Sequence, residues 1–426
     1  MMEPLVLKDP RFVMTMDREI VLENVDIRIE GGMIEAIGTD LASRGDEIID
    51  CSGAVVMPGL VNSHTHAAMV MLRGLNDDAP LQEWLESMWE MEGRIEPDLE
   101  ALGAELGFLE MVRTGTTMCM DQYGAVPGVE AAERVGIRLA NGVPLITVWG
   151  KAEERLARAR DFIRDHRGHD RIIPIVNLHS IYTNDEDTMI RCGEMSREEK
   201  VPLHVHCSET RSEVFDNRKK KGRLGVEELD HNGCLWEMSV LVHMGWAASW
   251  EFNIVKEKGA SLVHCPSSNQ KLATGGFFPF KDLKRMGIRV GLGTDGAASN
   301  NSLDMFREMK EMALLQKGQY WDPLACTAVD ALETTTISGN GILGTKGGIL
   351  SPGMNADICI VDAGPGLGPL RKENLASALV YSANGNMVTT TIVGGEVVYD
   401  RGRYRGGDDI GARYQDLTEK VISELY

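Results

Sequence analysis

The sequence is poor in basic charge, and this shortage excludes several classes of protein. Lysine and arginine number 44 against 64 aspartate and glutamate residues, which gives a formal net charge of −20. Such a charge repels phosphate backbones and anionic lipid headgroups, so we expect no nucleic acid and no membrane surface among the partners. No apolar run reaches the roughly 20 residues that cross a bilayer, and the N-terminus lacks a basic segment followed by apolar residues.

Paired cysteines are missing as well. The eight cysteines lie singly among the 426 residues, and no CxxC pair occurs. This usage is typical of a reducing compartment rather than of a disulfide framework, so we expect a cytoplasmic protein. The HxE and PCxxC motifs of one class of zinc deaminases are also absent. With 43% hydrophobic and 25% charged residues, the chain nevertheless has the composition of a globular protein with a sizeable core.

Two kinds of strand pattern divide the chain. Short strand-like segments fill residues 1–57 and return within 345–426, and we expect these two ends to fold together as one small β-sandwich. Residues 58–344 alternate strand-like runs with helical stretches, which predicts an α/β fold of the (β/α)₈ TIM-barrel type that carries the catalytic site. The eight runs are 55–64, 116–121, 137–143, 171–179, 201–207, 238–243, 260–265 and 288–295.

Two short segments near the C-terminus carry more local predictions. Gly394 and Gly395 mark a tight hairpin between two strand-like arms. The last segment, 412–426, is helical and places four apolar side chains on one face, which we expect to dock on the protein itself. These side chains are Leu417, Val421, Ile422 and Leu425.

Histidine and aspartate residues end several of the predicted strands, where a barrel has its active site. In SHTH, His64 and His66 are two residues apart, so on a strand their imidazoles project from the same face and can bind one metal ion. A pair of hydrogen-bonded surface histidines is the alternative. An HxH motif alone does not decide between the two.

The run HVHCSE supplies a second candidate cluster. His204 and His206 share a face by the same parity, and His206 is the better ligand because it lies nearer the mouth of the barrel. His204, one layer deeper, is expected in the core or behind the ligands. Glu209 follows the strand, where its carboxylate either reaches a water at a metal or faces a helix N-terminus.

Three further strand tips carry side chains of the same kinds. His243 and His264 each end a run LVH, where either could be a core histidine, and Asp295 follows in GLGTDGAASNN, where it could also cap a helix. Such a set at five strand tips would be an unusual accident among only ten histidines. We therefore expect a bound metal. Nitrogen and carboxylate ligands without thiolate suit Zn²⁺ or Fe²⁺.

Four longer runs resemble the amidohydrolase superfamily: PGLVNSHTHAAMVMLRG, HCSE, HCPSSNQKLA and GLGTDGAASNNSLDMFREMK. Within it they are similar to the 5'-methylthioadenosine/S-adenosylhomocysteine deaminases, including the 5'-deoxyadenosine deaminases of methanogenic archaea. The resemblance spans nearly the whole chain and implies one divalent metal ion, with Zn²⁺ preferred over Fe²⁺. It implies metal ligands at His64, His66, His206 and Asp295, catalytic roles for Glu209, His243 and Asp295, and substrate contacts from Trp84, Glu92, Arg155, His179, Glu209, Asp295 and Ser299.

The same resemblance assigns particular tasks. Glu209 would shuttle protons, His243 would orient the attacking water, and Glu92 would contact the ribose hydroxyls. Some relatives carry paired arginines for a substrate carboxylate, whereas this chain offers Arg155 without an obvious second arginine, which favours a small, neutral 5' group. Binuclear relatives bridge two metals with a lysine at the end of strand four, but here that strand ends IVNLHS, so one metal is expected.

The expected reaction is the hydrolytic deamination of an adenine nucleoside at C6, which yields the inosine analogue and ammonia. One alternative is a deaminase or hydrolase of a free base or a triazine in the same superfamily, for which Glu92 would have no ribose to contact. Another is a non-catalytic scaffold. A GxGxxG match at 291–296 would suggest a dinucleotide-binding oxidoreductase, but Asp295 would place a carboxylate where the pyrophosphate must lie. We also expect a homo-oligomer.

Overall fold

A ring of parallel strands organises the computed structural model, which describes residues 3–79, 81–148 and 150–425. Eight strand positions follow one another around the ring in the order of the sequence. Three of them, the third, fourth and eighth, are broken into two short pieces. The strands are Leu60–His66, Thr116–Asp121, Arg138–Asn141 with Pro144–Leu145, Ile172–Pro174 with Val176–Ser180, Leu203–Cys207, Ser239–His243, Ser261–His264, and Val290–Leu292 with Asp295–Gly296.

The breaks divide the backbone ladder into two arcs instead of one continuous closed sheet. Strand eight shows how the arcs meet. Its first piece, Val290–Leu292, pairs with strand seven, whereas its second piece pairs with strand one, so that Asp295 lies opposite Thr65 and Gly296 opposite His66. This change of partner brings Asp295 beside the SHTH run from the other end of the ring.

Helices cover the outside of the ring and fill its loops. Several begin where a polar side chain accepts a hydrogen bond from a backbone N–H of the first turn, as Asp185, Thr210, Asp304 and Thr327 do. The α-helices of the described residues are Leu81–Glu92, Pro97–Arg113, Ala125–Val135, Ala152–Asp165, Glu186–Glu199, Arg211–Lys221, Gly225–His231, Glu251–Lys258, Pro266–Lys271, Phe280–Met286, Ala297–Asn300, Met305–Tyr320, Ala328–Thr335, Ile337–Leu343, Leu375–Tyr381 and Ile410–Leu425. No described helix has the length and apolarity to span a membrane.

The two ends of the chain share a β-sandwich. Ala54–Pro58 pairs antiparallel with Ile358–Asp362, and the side chains of Leu7, Val56 and Ile360 are buried between the sheets. One sheet has the order Met33–Gly38, Asp26–Glu30, Leu5–Lys8, Glu47–Asp50; the other has the order Asp408–Asp409, Arg403–Tyr404, Glu396–Asp400, Val388–Val393, Ile358–Asp362, Ala54–Pro58, Phe12–Met14, Val21–Leu22. The pairing supports a composite sandwich, and the division at 57/58 and 344/345 stays a prediction.

The expected glycine hairpin is present. Gly394 and Gly395 have φ angles of +57° and +78° and join Val388–Val393 to Glu396–Asp400. Positive φ at both central positions is what a tight two-residue hairpin turn requires, and glycine adopts it without strain.

The predicted strand 55–64 is in fact two strands that belong to different sheets. Ala54–Pro58 lies in the sandwich and Leu60–His66 in the ring, and Gly59 separates them. A Cβ atom at Gly59 would lie 2.2 Å from the side chain of Thr117, so the backbone passes too close there for a larger residue. A continuous apolar run hides this change of sheet, because both pieces are fully buried.

The C-terminal helix, Ile410–Leu425, packs on the helix Pro97–Arg113. Leu417, Val421 and Leu425 are buried there, as predicted, and Arg413 Nε lies 2.6 Å from Glu105 Oε1. The prediction for Ile422 is wrong, because this side chain is 55% exposed at the edge of the buried stripe. The helix thus rests on the ring, although the sequence pattern groups it with the sandwich segment.

Candidate metal centre and active site

Four side chains from strands one, five and eight converge at the carboxyl end of the ring. Asp295 Oδ1 lies 3.2 Å from His64 Nε2 and 3.2 Å from His66 Nε2, and His206 Nε2 lies 3.3 Å from His64 Nε2. Four tetrahedral ligand atoms at 2.0–2.1 Å from a zinc-sized cation stand about 3.3–3.4 Å from one another. The spacing of these donor atoms therefore fits a single ion.

The outer nitrogens of the histidine rings determine which nitrogen faces this point. His66 Nδ1 donates to the carbonyl oxygen of Gln122 at 3.2 Å, and His206 Nδ1 donates to that of His179 at 2.9 Å. A neutral imidazole with its proton on Nδ1 has a lone pair on Nε2. Burial lowers the pKa of His64 to about 4 and that of His206 well below its usual range, so both rings are neutral at pH 7.

His204, expected in the core or behind the ligands, lies directly behind His64. His64 Nδ1 donates to His204 Nε2 at 3.1 Å, and His204 Nδ1 faces Asn177 Oδ1 at 3.5 Å. Asn177 is itself oriented by its Nδ2 group, which donates to the carbonyl oxygen of Gly142 at 3.1 Å. The chain of donors leaves the Nε2 lone pair of His64 facing that of His206. Two lone pairs at 3.3 Å repel each other unless a cation lies between them, so the donor set fits a metal ion.

Asp295 presents one oxygen to the histidines and keeps the other for hydroxyl groups. Ser268 donates to Asp295 Oδ2 at 2.6 Å and Ser299 at 3.0 Å. Burial raises the pKa of Asp295, but His64 and His66 lower it more, so it is held well below the usual range. The backbone of Asp295 has a φ of +60°, a conformation that costs energy for a residue with a side chain and that turns this carboxylate toward strand one.

Glu209 and His243 lie beside this cluster. Glu209 Oε1 is 3.9 Å from His243 Nε2, and Asn269 Nδ2 donates to His243 Nδ1 at 3.2 Å, so the ring carries its proton on Nε2, toward the site. Glu213 accepts the backbone N–H groups of Ser208 at 3.0 Å and Glu209 at 2.9 Å and fixes this loop. Burial raises the pKa of Glu209, the charge of His243 opposes this, and Asp295 reinforces it, so the carboxyl group keeps its proton to a higher pH than usual.

Three of the predicted substrate residues lie near the cluster with polar atoms of limited freedom. Tyr123 donates to Glu92 Oε1 at 3.1 Å, and burial raises the pKa of Glu92. The ring of His179 packs 5.0 Å from that of His206, and burial lowers its pKa to about 3. Trp84 is buried, and its Nε1 has no hydrogen-bond partner among the described residues.

The remaining two predicted substrate residues make contacts within the protein. Arg155 Nη1 donates to the carbonyl oxygen of Pro144 at 3.2 Å, and Ser299 Oγ donates to Asp295. His264, at the tip of strand seven, stacks on Phe278 at 4.2 Å, and neither ring nitrogen has a partner among the described residues. This agrees with a core position for His264.

The sequence reasoning missed the residues that hold the ligands in place. Ser268 and Asn269 belong to the run HCPSSNQKLA, whose polar residues right after a strand tip were a usable signal. Asn177 and Glu213 gave no such signal, because their contacts are with residues far away in sequence or with backbone N–H groups.

Comparisons with known proteins agree with this geometry. The amidohydrolase family model matches residues 55–398, so the chain belongs to this family. A 5'-deoxyadenosine deaminase of Methanosarcina mazei is 38% identical over 405 residues, which cover 93% of both chains. A 5-methylthioadenosine/S-adenosylhomocysteine deaminase of Archaeoglobus fulgidus is 36% identical over 389 residues, which cover 90% of this chain and 91% of the relative.

A solved structure extends the likeness to the fold. An adenosine deaminase from Xanthomonas campestris with bound zinc superimposes with a TM-score of 0.91 at 30% identity, covering 98% of each chain. The resemblance found in the sequence and the predicted α/β barrel-type fold are thereby confirmed. The protein is a metal-dependent hydrolase of the amidohydrolase family, and its histidine and aspartate cluster is a site for a divalent metal ion.

Proposed function

We propose that the protein is an adenine nucleoside deaminase that uses Zn²⁺ and acts on 5'-deoxyadenosine, 5'-methylthioadenosine and adenosine. One observation carries the proposal: Glu209, a carboxyl group with a raised pKa, lies beside His243 and next to the four converging ligands. A site for a metal and a proton carrier side by side is what hydrolysis of an aromatic C–N bond needs. The names of the two relatives and of the zinc-containing structure support the same reaction.

We assign the metal to His64, His66, His206 and Asp295, three neutral imidazoles and one carboxylate. When bound, a divalent cation lowers the pKa of water from about 15.7 to about 7 and so makes a nucleophile available at neutral pH. Nitrogen and oxygen donors in a four-ligand set favour Zn²⁺. Strand four, Val176–Ser180, contains no lysine to bridge a second ion, which supports one metal.

In the reaction, the oxygen of water forms a bond with C6 of the adenine ring, and the bond from C6 to the amino nitrogen breaks. Glu209 donates its proton to N1, because the ring accepts electrons from the nucleophile only when this nitrogen is protonated. The proton released by the water then returns through Glu209 to the departing amino group, which leaves as ammonia. His243 points its Nε2 proton at the same place and orients the attacking oxygen.

The substrate side of the site favours a nucleoside over a free base. We assign Glu92 to the ribose hydroxyls, since its carboxylate accepts one hydrogen bond from Tyr123 and has further acceptor capacity. Trp84 forms part of the pocket wall and His179 its floor. Arg155 donates to a backbone carbonyl, so we expect S-adenosylhomocysteine, with its charged tail, to be a poorer substrate than nucleosides with a neutral 5' group.

A panel of substrates tests this function. The zinc-loaded protein is incubated with adenine nucleosides that differ only at the 5' position, and with adenine, guanine and a triazine, while ammonia release and the loss of adenine absorbance are followed. We expect turnover of the nucleosides and little of the other three. A free base as the best substrate would contradict the nucleoside assignment, and a protein that binds no metal and turns over nothing would support a non-catalytic scaffold.

We also propose that the protein is cytoplasmic and forms a homo-oligomer. All eight cysteines are buried thiols outside any disulfide, which suits a reducing compartment. Trp321 is 94% and Leu324 72% exposed, and apolar side chains so exposed support contact between subunits. Light scattering during size-exclusion chromatography tests the second point, and a monomeric mass would contradict it.

A further inference from the structure

A lysine outside the metal centre connects three of the loops around it. Lys271 ends the helix Pro266–Lys271 that follows strand seven. Its ammonium group donates to Asp77 Oδ1 at 2.7 Å, to Asn301 Oδ1 at 2.8 Å and to the carbonyl oxygen of Ala298 at 3.0 Å. An ammonium group has three N–H donors, and all three are used.

The partners of Lys271 come from the two other loops. Asp77 belongs to the series of turns at 73–79 that follows strand one, and Asn301 ends the short helix Ala297–Asn300 that follows strand eight. Asn301 Nδ2 also donates to Asp77 Oδ2 at 2.6 Å, so both oxygens of Asp77 are engaged. Burial raises the pKa of Asp77, but Lys271 and Asn301 lower it more, which keeps this carboxylate ionised at neutral pH.

The contact joins the two functional halves of the site. The loops after strands seven and eight carry the side chains that hold the metal-side residues, namely Ser268 and Ser299 on Asp295 and Asn269 on His243. The turns at 73–79 lead into the helix Leu81–Glu92, which carries the two proposed nucleoside contacts, Trp84 and Glu92.

The turns at 73–79 depend on side-chain contacts of this kind. Their backbone hydrogen bonds are local, from Leu75 to Leu72 and from Ala79 to Asn76. A segment without a strand or helix of its own opens easily unless such contacts hold it. Asp77 supplies a charged contact that reaches across to the opposite side of the site.

We propose that Lys271 is a positioning residue that fixes the turns at 73–79 to the loops after strands seven and eight and so holds Trp84 and Glu92 in place for the nucleoside. This inference rests on the proposed function of those two residues. Lys271 touches neither the substrate nor the metal ligands, so its removal lowers the fraction of molecules that are ready to bind. If that fraction falls to about one tenth, the KM rises about tenfold while kcat is largely retained.

The chain offers a matched control for this experiment. Lys281 Nζ donates to Asp322 Oδ2 at 2.5 Å, and the two side chains are 24% and 27% exposed, against 21% and 29% for Lys271 and Asp77. Neither Lys281 nor Asp322 lies in a segment that carries a predicted site residue. Removing this pair deletes an ion pair of similar burial without changing the connection between the loops.

The test compares K271M, D77N, the double variant and K281M. We expect K271M and D77N each to raise the KM for 5'-deoxyadenosine about tenfold with kcat within about threefold and with unchanged zinc content. The double variant should be no worse than K271M alone, since both changes remove the same contact. K281M should leave KM and kcat as in the wild type. A KM unchanged in K271M, or raised equally in K281M, would overturn the proposal.

Hydrogen exchange supplies a readout that is independent of activity. Backbone amides of residues 73–92 should exchange faster in K271M than in the wild type and at the wild-type rate in K281M. Unchanged exchange in K271M would overturn the connection itself. If the wild type deaminates no adenine nucleoside, the proposed function fails, and exchange alone then decides whether Lys271 holds the turns. D77N carries both measurements if K271M does not fold.

Discussion

The imidazole of His204 accepts a hydrogen bond from that of His64, with His64 Nδ1 3.1 Å from His204 Nε2. The bond fixes the tautomer of His64 from behind, so that its Nε2 lone pair faces the metal site. His204 is completely buried, and Asn177 orients it in turn. A residue that binds neither metal nor substrate thus prepares a ligand for both tasks, binding and catalysis.

Replacing His204 by phenylalanine should lower the affinity for zinc about 10- to 100-fold, because His64 loses the partner that fixes its proton. Competition with a chelator measures this affinity. H264F is the matched control, since His264 is also buried but has no hydrogen-bond partner among the described residues, and it should bind zinc as the wild type does. Equal affinity in H204F and the wild type would contradict the role of His204.

Replacing Glu209 by glutamine should leave zinc bound while kcat falls at least 100-fold, because an amide cannot carry a proton to the ring and away from it. Elemental analysis measures the metal and ammonia release measures kcat. E194Q changes an exposed glutamate on the helix Glu186–Glu199 and should keep wild-type turnover. Undiminished turnover in E209Q would refute the proton-shuttling role.

The serine hydroxyls on Asp295 distinguish two roles for Ser299. If Ser299 only orients the carboxylate, S299A should weaken zinc binding about tenfold and leave the KM of the zinc-loaded protein unchanged, since it removes one hydrogen bond to a charged group. If Ser299 contacts the substrate, as the sequence resemblance implies, the KM should rise instead. S268A, which removes the 2.6 Å hydrogen bond to the same oxygen, serves as the reference for a purely orienting hydroxyl.

Glu308 should make the stability of the protein depend on pH. Burial raises the pKa of Glu308 to about 7, above its value of about 4.5 in an unfolded chain, although Ser267 and Asn300 donate to it. A raised pKa means that the folded state favours the protonated form. The stability that this group contributes is therefore complete below about pH 4.5 and is lost as the pH rises through about 7.

The measurement is the free energy of unfolding between pH 5 and 8 from urea titrations. The wild type should lose up to about 3 kcal/mol more over this range than E308Q, in which the amide can still accept the hydrogen bond from Asn300. E311Q, on the same helix but without a resolved shift of its pKa, should retain the wild-type slope. Parallel pH profiles for E308Q and the wild type would contradict the assignment.

Much of the ligand set could be predicted from the sequence because it depends on local geometry. Residues two apart on a strand share a face, which predicted that His64 and His66 point together, and His206 lies nearer the mouth than His204 by the same rule. The alternation of strands and helices predicted that the strand tips meet at one end of a ring. These inferences need only the periodicity of a strand and the direction of parallel pairing.

The tertiary structure decided the contacts that join distant loops. Strand eight breaks and changes partners, which places Asp295 opposite Thr65, and no sequence pattern indicates such a break. The hydrogen bonds from Ser268 to Asp295, from Asn177 to His204 and from Lys271 to Asp77 likewise join residues that are not neighbours in sequence. Side-chain periodicity carries no information about how far two loops lie apart in space. That distance is set by the closing of the ring and the packing beneath it, so only the folded chain reveals which loop residue reaches which ligand.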